Sequence, residues 1–247
     1  ITPTSVGGSA LGMVFMNREG IEFGRSTSLM MTTIFLDELF FVISLPVIMA
    51  LVPYKALFGF SSDTFTVGLE TVFWIIYAGI FLWTLLLFLG ILVRPRAVRT
   101  GLNRLFRLKL LRRWADKADE LGHNMETTGM DLRHRPARWW AEAFGATAVS
   151  WCSRYLVVNA LFLGFVPAAD QLVVFARQFV VWVILMVSPT PGSAGISEWL
   201  FTTYYGDLIG SAGMALIIAL FWRIISYYVY LVIGACIVPS WIMKLKK

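Results

Sequence analysis

Charge is what this chain has least of. Only 15% of its 247 residues are charged, 58% are apolar, and the mean hydropathy is +0.72. A soluble domain is about a quarter charged and about half apolar, so the composition argues against a water-soluble enzyme. Cysteine and histidine are nearly absent as well: Cys152, Cys236, His123 and His134 are the whole supply. The two cysteines stand far apart inside apolar runs, which argues against a disulfide framework or a thiolate metal site. The two histidines lie in a polar connection without ligand-like spacing and read as solvated side chains. No Gly-Lys-Ser/Thr phosphate loop, GxGxxG or HExxH sequence occurs, and no nucleophile has a histidine partner. The chain is therefore expected not to be an enzyme and to need no cofactor or metal. It also opens at Ile1-Thr2-Pro3 without an initiator Met, a basic n-region or a signal-like core. This start reads as the middle of a longer chain, with helices upstream.

What the chain does have is long apolar runs. A span needs roughly 20 mostly apolar residues at a rise of about 1.5 Å each. Thr27–Val52, Val67–Val93, Trp139–Val166 and Gly210–Val238 meet that length or nearly so, and Leu172–Val187 is a shorter fifth. In lipid only helices and closed barrels satisfy the backbone, and these runs are continuous rather than alternating, so they are helices.

The connection Arg94–Arg138 carries twelve Lys/Arg against five Asp/Glu, which by the positive-inside rule places it in the cytoplasm. Its start sets Leu102, Leu105, Phe106 and Leu110 among Arg104, Arg107 and Lys109. That pattern suits an amphipathic helix on the membrane surface, or else a plain topogenic loop. The part that follows, through Asp131, is polar and expected to be solvated. Lys244-Leu245-Lys246-Lys247 is expected on the same side, which leaves Asp170–Gly206 to begin and end outside as a hairpin dipping into the membrane.

The turn of that hairpin is marked by Ser188-Pro189-Thr190-Pro191-Gly192-Ser193-Ala194-Gly195, since prolines and glycines cannot continue a helix. A short helix, Gly195-Ile196-Ser197-Glu198-Trp199-Leu200-Phe201, is expected next. A weaker copy opens the chain: Thr2-Pro3-Thr4-Ser5-Val6-Gly7-Gly8, then the apolar Ala10–Met16. Pro3 stands 34 residues before Asp37 and Pro191 stands 32 before Arg223. Each copy is thus a break, a short helix and a span with a charge near its middle, and the two spans point in opposite directions. Paired interrupted segments in an inverted repeat mark midplane sites in transporters, so the two breaks are expected to meet near mid-membrane.

Ionisable residues inside spans cost about 2.5–3.5 kcal/mol each and suggest function. Here they are Asp37, Glu38, Arg154, Arg177 and Arg223, with Glu198 on the short helix. One reading is that they pair off, Glu198 with Arg223 and Asp37 or Glu38 with Arg154, and serve packing alone. The other is that three arginines exceed what pairing needs and receive a phosphate, which guanidinium binds in a bidentate way. A helix N-terminus after Pro191-Gly192 would add a positive dipole end.

At these blocks the sequence resembles the lysylphosphatidylglycerol synthase transmembrane-region family, also called flippase-like domain proteins. The resemblance rests on Thr2–Gly8 with Arg18, and on Pro189–Glu198 with Arg223; Ser193-Ala194 stands where the family has glycine after Pro-Gly. It implies one flippase-like transmembrane domain over 1–247, about eight helices when complete, and a role in moving or handling polar lipids across the inner membrane. It also leads one to expect that the soluble aminoacyl-transferase half of the founding members is missing here.

Together these readings give an all-α integral membrane fold, with about five long transmembrane segments plus Pro/Gly-broken re-entrant helices in an inverted repeat. The expected function is a multi-pass inner-membrane protein that translocates or handles a phosphate-bearing lipid or lipid-linked glycan. The alternative is a structural or regulatory subunit of a larger membrane assembly. Expected partners are a membrane phospholipid or lipid-linked substrate and protein neighbours in a membrane complex, not nucleic acid. The expected binding set is Arg154, Arg177, Arg223, Glu198, Asp37 and Glu38, with Pro3, Gly7, Gly8, Pro191, Gly192 and Gly195 shaping the groove.

Overall fold

The computed structural model describes residues 5–59, 64–106, 115–132 and 134–244, and among them every regular element is a helix. In chain order these are α1 (Ser5–Arg18), α2 (Phe23–Leu51), α3 (Tyr54–Phe58), α4 (Thr64–Phe88), α5 (Pro95–Leu105), α6 (Ala115–Leu132), α7 (Ala137–Phe165), α8 (Gln171–Leu185), α9 (Ile196–Tyr204), α10 (Gly206–Ile209), α11 (Ala212–Arg223) and α12 (Val229–Lys244). A wide π turn, Leu89–Val93, ends α4, and a second, Ile224–Tyr228, joins α11 to α12 into one continuous rod.

Four segments are long and apolar enough to cross a membrane: Arg25–Leu51, Thr66–Val93, Ala137–Phe165 and Ala212–Val238. They coincide with the four long runs within about two residues at each end. The fifth run forms α8, only 15 residues. At a rise of about 1.5 Å per residue it is about 22 Å long, short of the roughly 30 Å hydrocarbon core. Large apolar side chains face outward along the long helices, with Ile75 and Val149 each 68% exposed and Leu82 64% exposed. Such surface is stable only against lipid or protein.

The helices form two compact units, one from Thr2–Val47 with Trp74–Val149, the other from Ile48–Phe73 with Ser150–Lys247. In the former, Met31, Phe35, Leu87, Ile91, Met125 and Leu132 make a buried cluster. Pro46 lies inside α2 and has no N–H to give the carbonyl of Val42 one turn earlier. The Tyr77 hydroxyl of α4 donates to that carbonyl at 3.0 Å instead, so the backbone stays satisfied at membrane depth.

The basic connection corrects one expectation. Its second half is not a solvated stretch but α6, packed against α5 and the end of α4. Glycine makes the fit possible: a Cβ at Gly129 would collide with the carbonyl of Ile91, and one at Gly122 would lie 2.7 Å from Arg99 Cγ. Arg99 Nε donates to Asp119 Oδ1 at 3.0 Å and Arg96 Nε to Glu126 Oε1 at 3.0 Å. The Arg99 guanidinium, and Asn103 after it, hold the Asp119 carboxyl below its usual value; Arg96 does the same for Glu126. Arg104 and Leu105 close α5, while Arg107, Lys109 and Leu110 lie outside the described residues. His123 and His134 are both exposed.

In the latter unit α8 is buried nearly all round, from Val173 to Val183, as a short helix sheathed by others must be. Asp170 starts it, accepting from the backbone N–H of Leu172 at 2.9 Å and of Val173 at 3.3 Å. The Gln178 side chain donates to the Tyr205 hydroxyl at 2.9 Å, which donates on to the carbonyl of Val174 at 3.1 Å. Phe201 and Trp222 stack at 5.2 Å and bind α9 to α11.

Candidate functional site

The second Pro/Gly block has the broken backbone expected of it. Pro191–Ser193 form one 3-10 turn, and Gly192, Ser193 and Gly195 have φ of 61°, 57° and 80°. Left-handed backbone suits glycine but strains serine, so Ser193 holds a conformation in which glycine would rest more easily. A Cβ at Gly192 would collide with the Tyr227 ring, so only glycine allows this turn to lie against α11 and its π turn. The short helix α9 then begins at Ile196.

The opposite end of this unit's chemistry is Glu198. Its Oε2 accepts from the Gly195 backbone N–H at 2.8 Å and from the Ser197 hydroxyl at 2.9 Å. The positive end of α9, expected to face a ligand, is thus capped by the chain's own carboxylate. Its Oε1 accepts from Arg223 Nε at 3.0 Å, while Arg223 Nη2 donates to the carbonyl of Gly192 at 2.6 Å. The guanidinium lies 4.4 Å from the Tyr227 ring centre, and Arg223 is 5% exposed. Arg223 therefore ties the broken loop to the span that follows it.

Arg177 is more completely enclosed, at 1% exposed. Its Nε donates to the carbonyl of Ala56 at 3.0 Å, Nη1 to that of Tyr204 at 2.8 Å, and Nη2 to Asp207 Oδ2 at 2.7 Å. The Tyr204 hydroxyl in turn donates to the carbonyl of Leu57. One guanidinium thus joins α3, α8, α9 and α10. Four of its five N–H donors are thus spent within the fold.

Arg154 differs from both. It lies near the middle of α7, exposed, with its guanidinium 4.6 Å from the Trp151 ring centre. Among the described residues it has no ion pair or hydrogen bond. It lines a cavity of about 640 Å³ whose other polar walls are Ser150, Ser153, Ser226, Tyr227, Tyr230 and Trp182, the last with its indole N–H buried and unpartnered among the described residues. Ser150, Ser153 and Arg154 share one face of α7 by their i, i+3, i+4 spacing. The π turn brings Ser226 and Tyr227 to the same space, and wide turns of this kind recur at functional sites.

Asp37 and Glu38 lie mid-span on α2, both half-buried, and Glu38 Oε2 is buried without a hydrogen-bond partner among the described residues. They belong to the other compact unit and are described there alone. Pro3 lies outside the described residues. Gly7 and Gly8 do not form a break: they sit inside the first turns of α1. Glycine costs a helix about 1 kcal/mol without stopping it, and no proline follows them as Pro191 follows Pro189.

Residues 1–234 match the family described as the lysylphosphatidylglycerol synthase TM region. The chain belongs to that family. A relative in Archaeoglobus fulgidus, described as a UPF0104 membrane protein, is 25% identical over all of this chain and 73% of its own length. No solved structure matches the chain. Membership in the lysylphosphatidylglycerol synthase TM region family and four apolar helices of spanning length make this a multi-pass membrane protein. Of the residues that carried the resemblance, Pro191, Gly192, Gly195, Glu198 and Arg223 come together in one hydrogen-bonded knot. Sequence reading missed Asp207, which sits on the four-residue α10 and gave no periodic signal. It also missed Tyr227 and Tyr230, though the Ser150/Ser153/Arg154 face was there to be seen.

Proposed function

We propose that this protein translocates or handles a phosphate-bearing lipid or lipid-linked glycan in the inner (cytoplasmic) membrane, without nucleotide hydrolysis of its own. One observation carries the reading: Arg154, a mid-span cation that no described carboxylate compensates, on the wall of a hydroxyl-lined cavity. A guanidinium kept in a span without a counter-charge costs about 2.5–3.5 kcal/mol, a cost that an anionic ligand would remove. Phosphate suits it, because guanidinium offers paired donors to phosphate oxygens. Family membership supports a polar-lipid role. Arg223 and Glu198 bear on the cavity through Tyr227, and Arg177 is paired within the fold, so neither arginine is assigned to the headgroup. The internal satisfaction of these two favours the second reading, a subunit whose buried charges serve packing, but the Trp151 ring alone does not offset the cost of Arg154 in a span.

The test is an experimental structure of the full chain in nanodiscs containing native lipid. Lipid-shaped density with its phosphate in hydrogen-bond reach of Arg154 supports the proposal. A cavity closed by a neighbouring protein chain in the native assembly would sink it in favour of the subunit reading.

A further inference from the structure

Moving a lipid uphill without nucleotide hydrolysis requires a second solute that moves downhill, and the chain holds one mid-span carboxyl that the site above does not use. Glu38 is the central residue of the span Arg25–Leu51, thirteen residues from either end. It shares a face of α2 with Thr27, Met31 and Leu45, at helical spacings of four and seven, and those three are buried. Glu38 Oε2 is buried too, with no hydrogen-bond partner among the described residues.

The charges of the helices packed around it are engaged elsewhere. In this unit α4 brings Tyr77, whose hydroxyl is given to the carbonyl of Val42. Helix α7 meets α2 where Trp140 packs on Phe35; its Arg138 and Glu142 are exposed and paired with each other at 2.7 Å. Arg18 of α1 and Arg25 at the start of α2 are exposed. From α6, Asp119 and Glu126 are held by Arg99 and Arg96 of α5, while Asp116, Glu120 and His123 are exposed. Asp37 projects about 100° further round α2 and adds a like charge, which makes a permanent anion at Glu38 costlier still.

Toward its start, α2 is lined with hydroxyls instead: Ser26, Thr27, Ser28 and Thr32 are all buried. Ser28 Oγ has no hydrogen-bond partner among the described residues. Thr32 donates to the carbonyl of Ser28 at 2.7 Å, which leaves its oxygen able to accept. Side chains on a helix lean toward its N-terminus, so the Glu38 carboxyl reaches back toward these hydroxyls. Carboxyls at this depth serve proton relays. An enclosed carboxylate without a donor is costly and the neutral acid far less so, so a proton on Glu38 decides which conformation of the unit is stable.

Resting on the translocation reading above, we propose that Glu38 is a proton-binding site that couples this protein to a transmembrane pH gradient. Enclosed as here, it carries a proton, exchanged with the aqueous phase along the hydroxyls at the Ser26 end of α2. The step is proton transfer alone: an O–H bond forms at Glu38 with a proton from one aqueous phase and breaks when that proton leaves to the other.

The test uses the full chain in sealed liposomes with a fluorescent phosphodiester lipid in both leaflets, the membrane potential being clamped by valinomycin and equal potassium. A gradient of one pH unit gives about a tenfold driving ratio for one coupled proton. Relative to protein-free liposomes, wild type should enrich the lipid in one leaflet by up to about tenfold, and nigericin should abolish the enrichment. Glu38→Gln, a neutral mimic of the acid, should give none, and Glu38→Asp should retain part of it. A merely structural role is separated by infrared difference spectra of the same proteins on acidification: wild type should show a carboxylic-acid stretch that Glu38→Gln lacks. Lipid that equilibrates between leaflets without responding to the gradient, enrichment that survives Glu38→Gln, a missing acid band, or enrichment driven by sodium instead overturns this inference and leaves translocation standing. Wild type that moves no lipid under any gradient overturns both.

Discussion

Arg177 and Arg154 both lie in apolar helices of one compact unit, and their surroundings are opposites. Arg177 spends its donors on two carbonyls and Asp207, at 1% exposure. Arg154 is exposed on a cavity wall, with only an aromatic face beneath it. A buried charge that is fully paired is part of the framework, and removing its partner is what does damage. A cation in a span with an aromatic ring but no ion pair among the described residues gains little from packing, and its cost in lipid points to a ligand. Arg223 stands between them, paired like Arg177 but one aromatic ring away from the cavity.

The comparison breaks most visibly at Asp207. Asp207→Ala leaves the Arg177 guanidinium buried without its counter-ion, and should lower stability by about 3–5 kcal/mol, read as thermal unfolding in detergent. A loss under about 1 kcal/mol would show that water, not Asp207, satisfies Arg177. Arg223→Leu strands Glu198, which keeps its bonds to Gly195 and Ser197, so the loss should be smaller, about 2–3 kcal/mol. The double change with Glu198→Gln should recover most of it, and a double variant no more stable than the single one would contradict the pairing. Gly192→Ala sharpens the intermediate case. It strains a left-handed turn and pushes Tyr227 from under Arg223, for about 1–3 kcal/mol. Ser193→Gly should be neutral or stabilising by under about 1 kcal/mol, because it relieves φ of 57° at a cost only in the unfolded chain.

The smallest effect concerns ion pairs outside the membrane. Asp119 and Glu126 are held below their usual 3.8 and 4.5, so the unfolded state binds protons more readily than the folded one. Their contribution is present above those usual values and is lost as pH falls through the lower folded values. Being water-exposed, it should also fade with salt. Amide exchange of α5 and α6 should therefore rise as pH falls below about 4, while α8 stays protected. Equal loosening of α8 would mean that the connection does not respond separately.

The spans were legible because length and continuous apolarity are properties of the sequence itself. So was the break at Pro189–Gly195, where two prolines leave no helical alternative. Gly7 and Gly8 misled for the same reason in reverse: glycine alone weakens a helix without ending it. Composition also misled at α6, whose polar residues suggested solvent. Gly122, Met125 and Gly129, spaced by three, four and seven, carried the packing face that α6 buries. The arginines were found by their cost in lipid, but their roles were not, because a pairing partner such as Asp207 lies 30 residues away on a four-residue helix. Only the folded chain distinguishes the ion-paired guanidinium of Arg177 from that of Arg154, which has no ion pair among the described residues.

The most direct test of that distinction pairs Arg154→Gln with wild type in sealed liposomes. Translocation of a fluorescent phosphodiester lipid is measured beside thermal stability of the same preparations. The expected result is stability within about 1 kcal/mol of wild type, the loss of an exposed contact with the Trp151 ring, with translocation reduced about tenfold or more. An Arg154→Gln protein that is stable and still moves lipid at the wild-type rate would contradict the account.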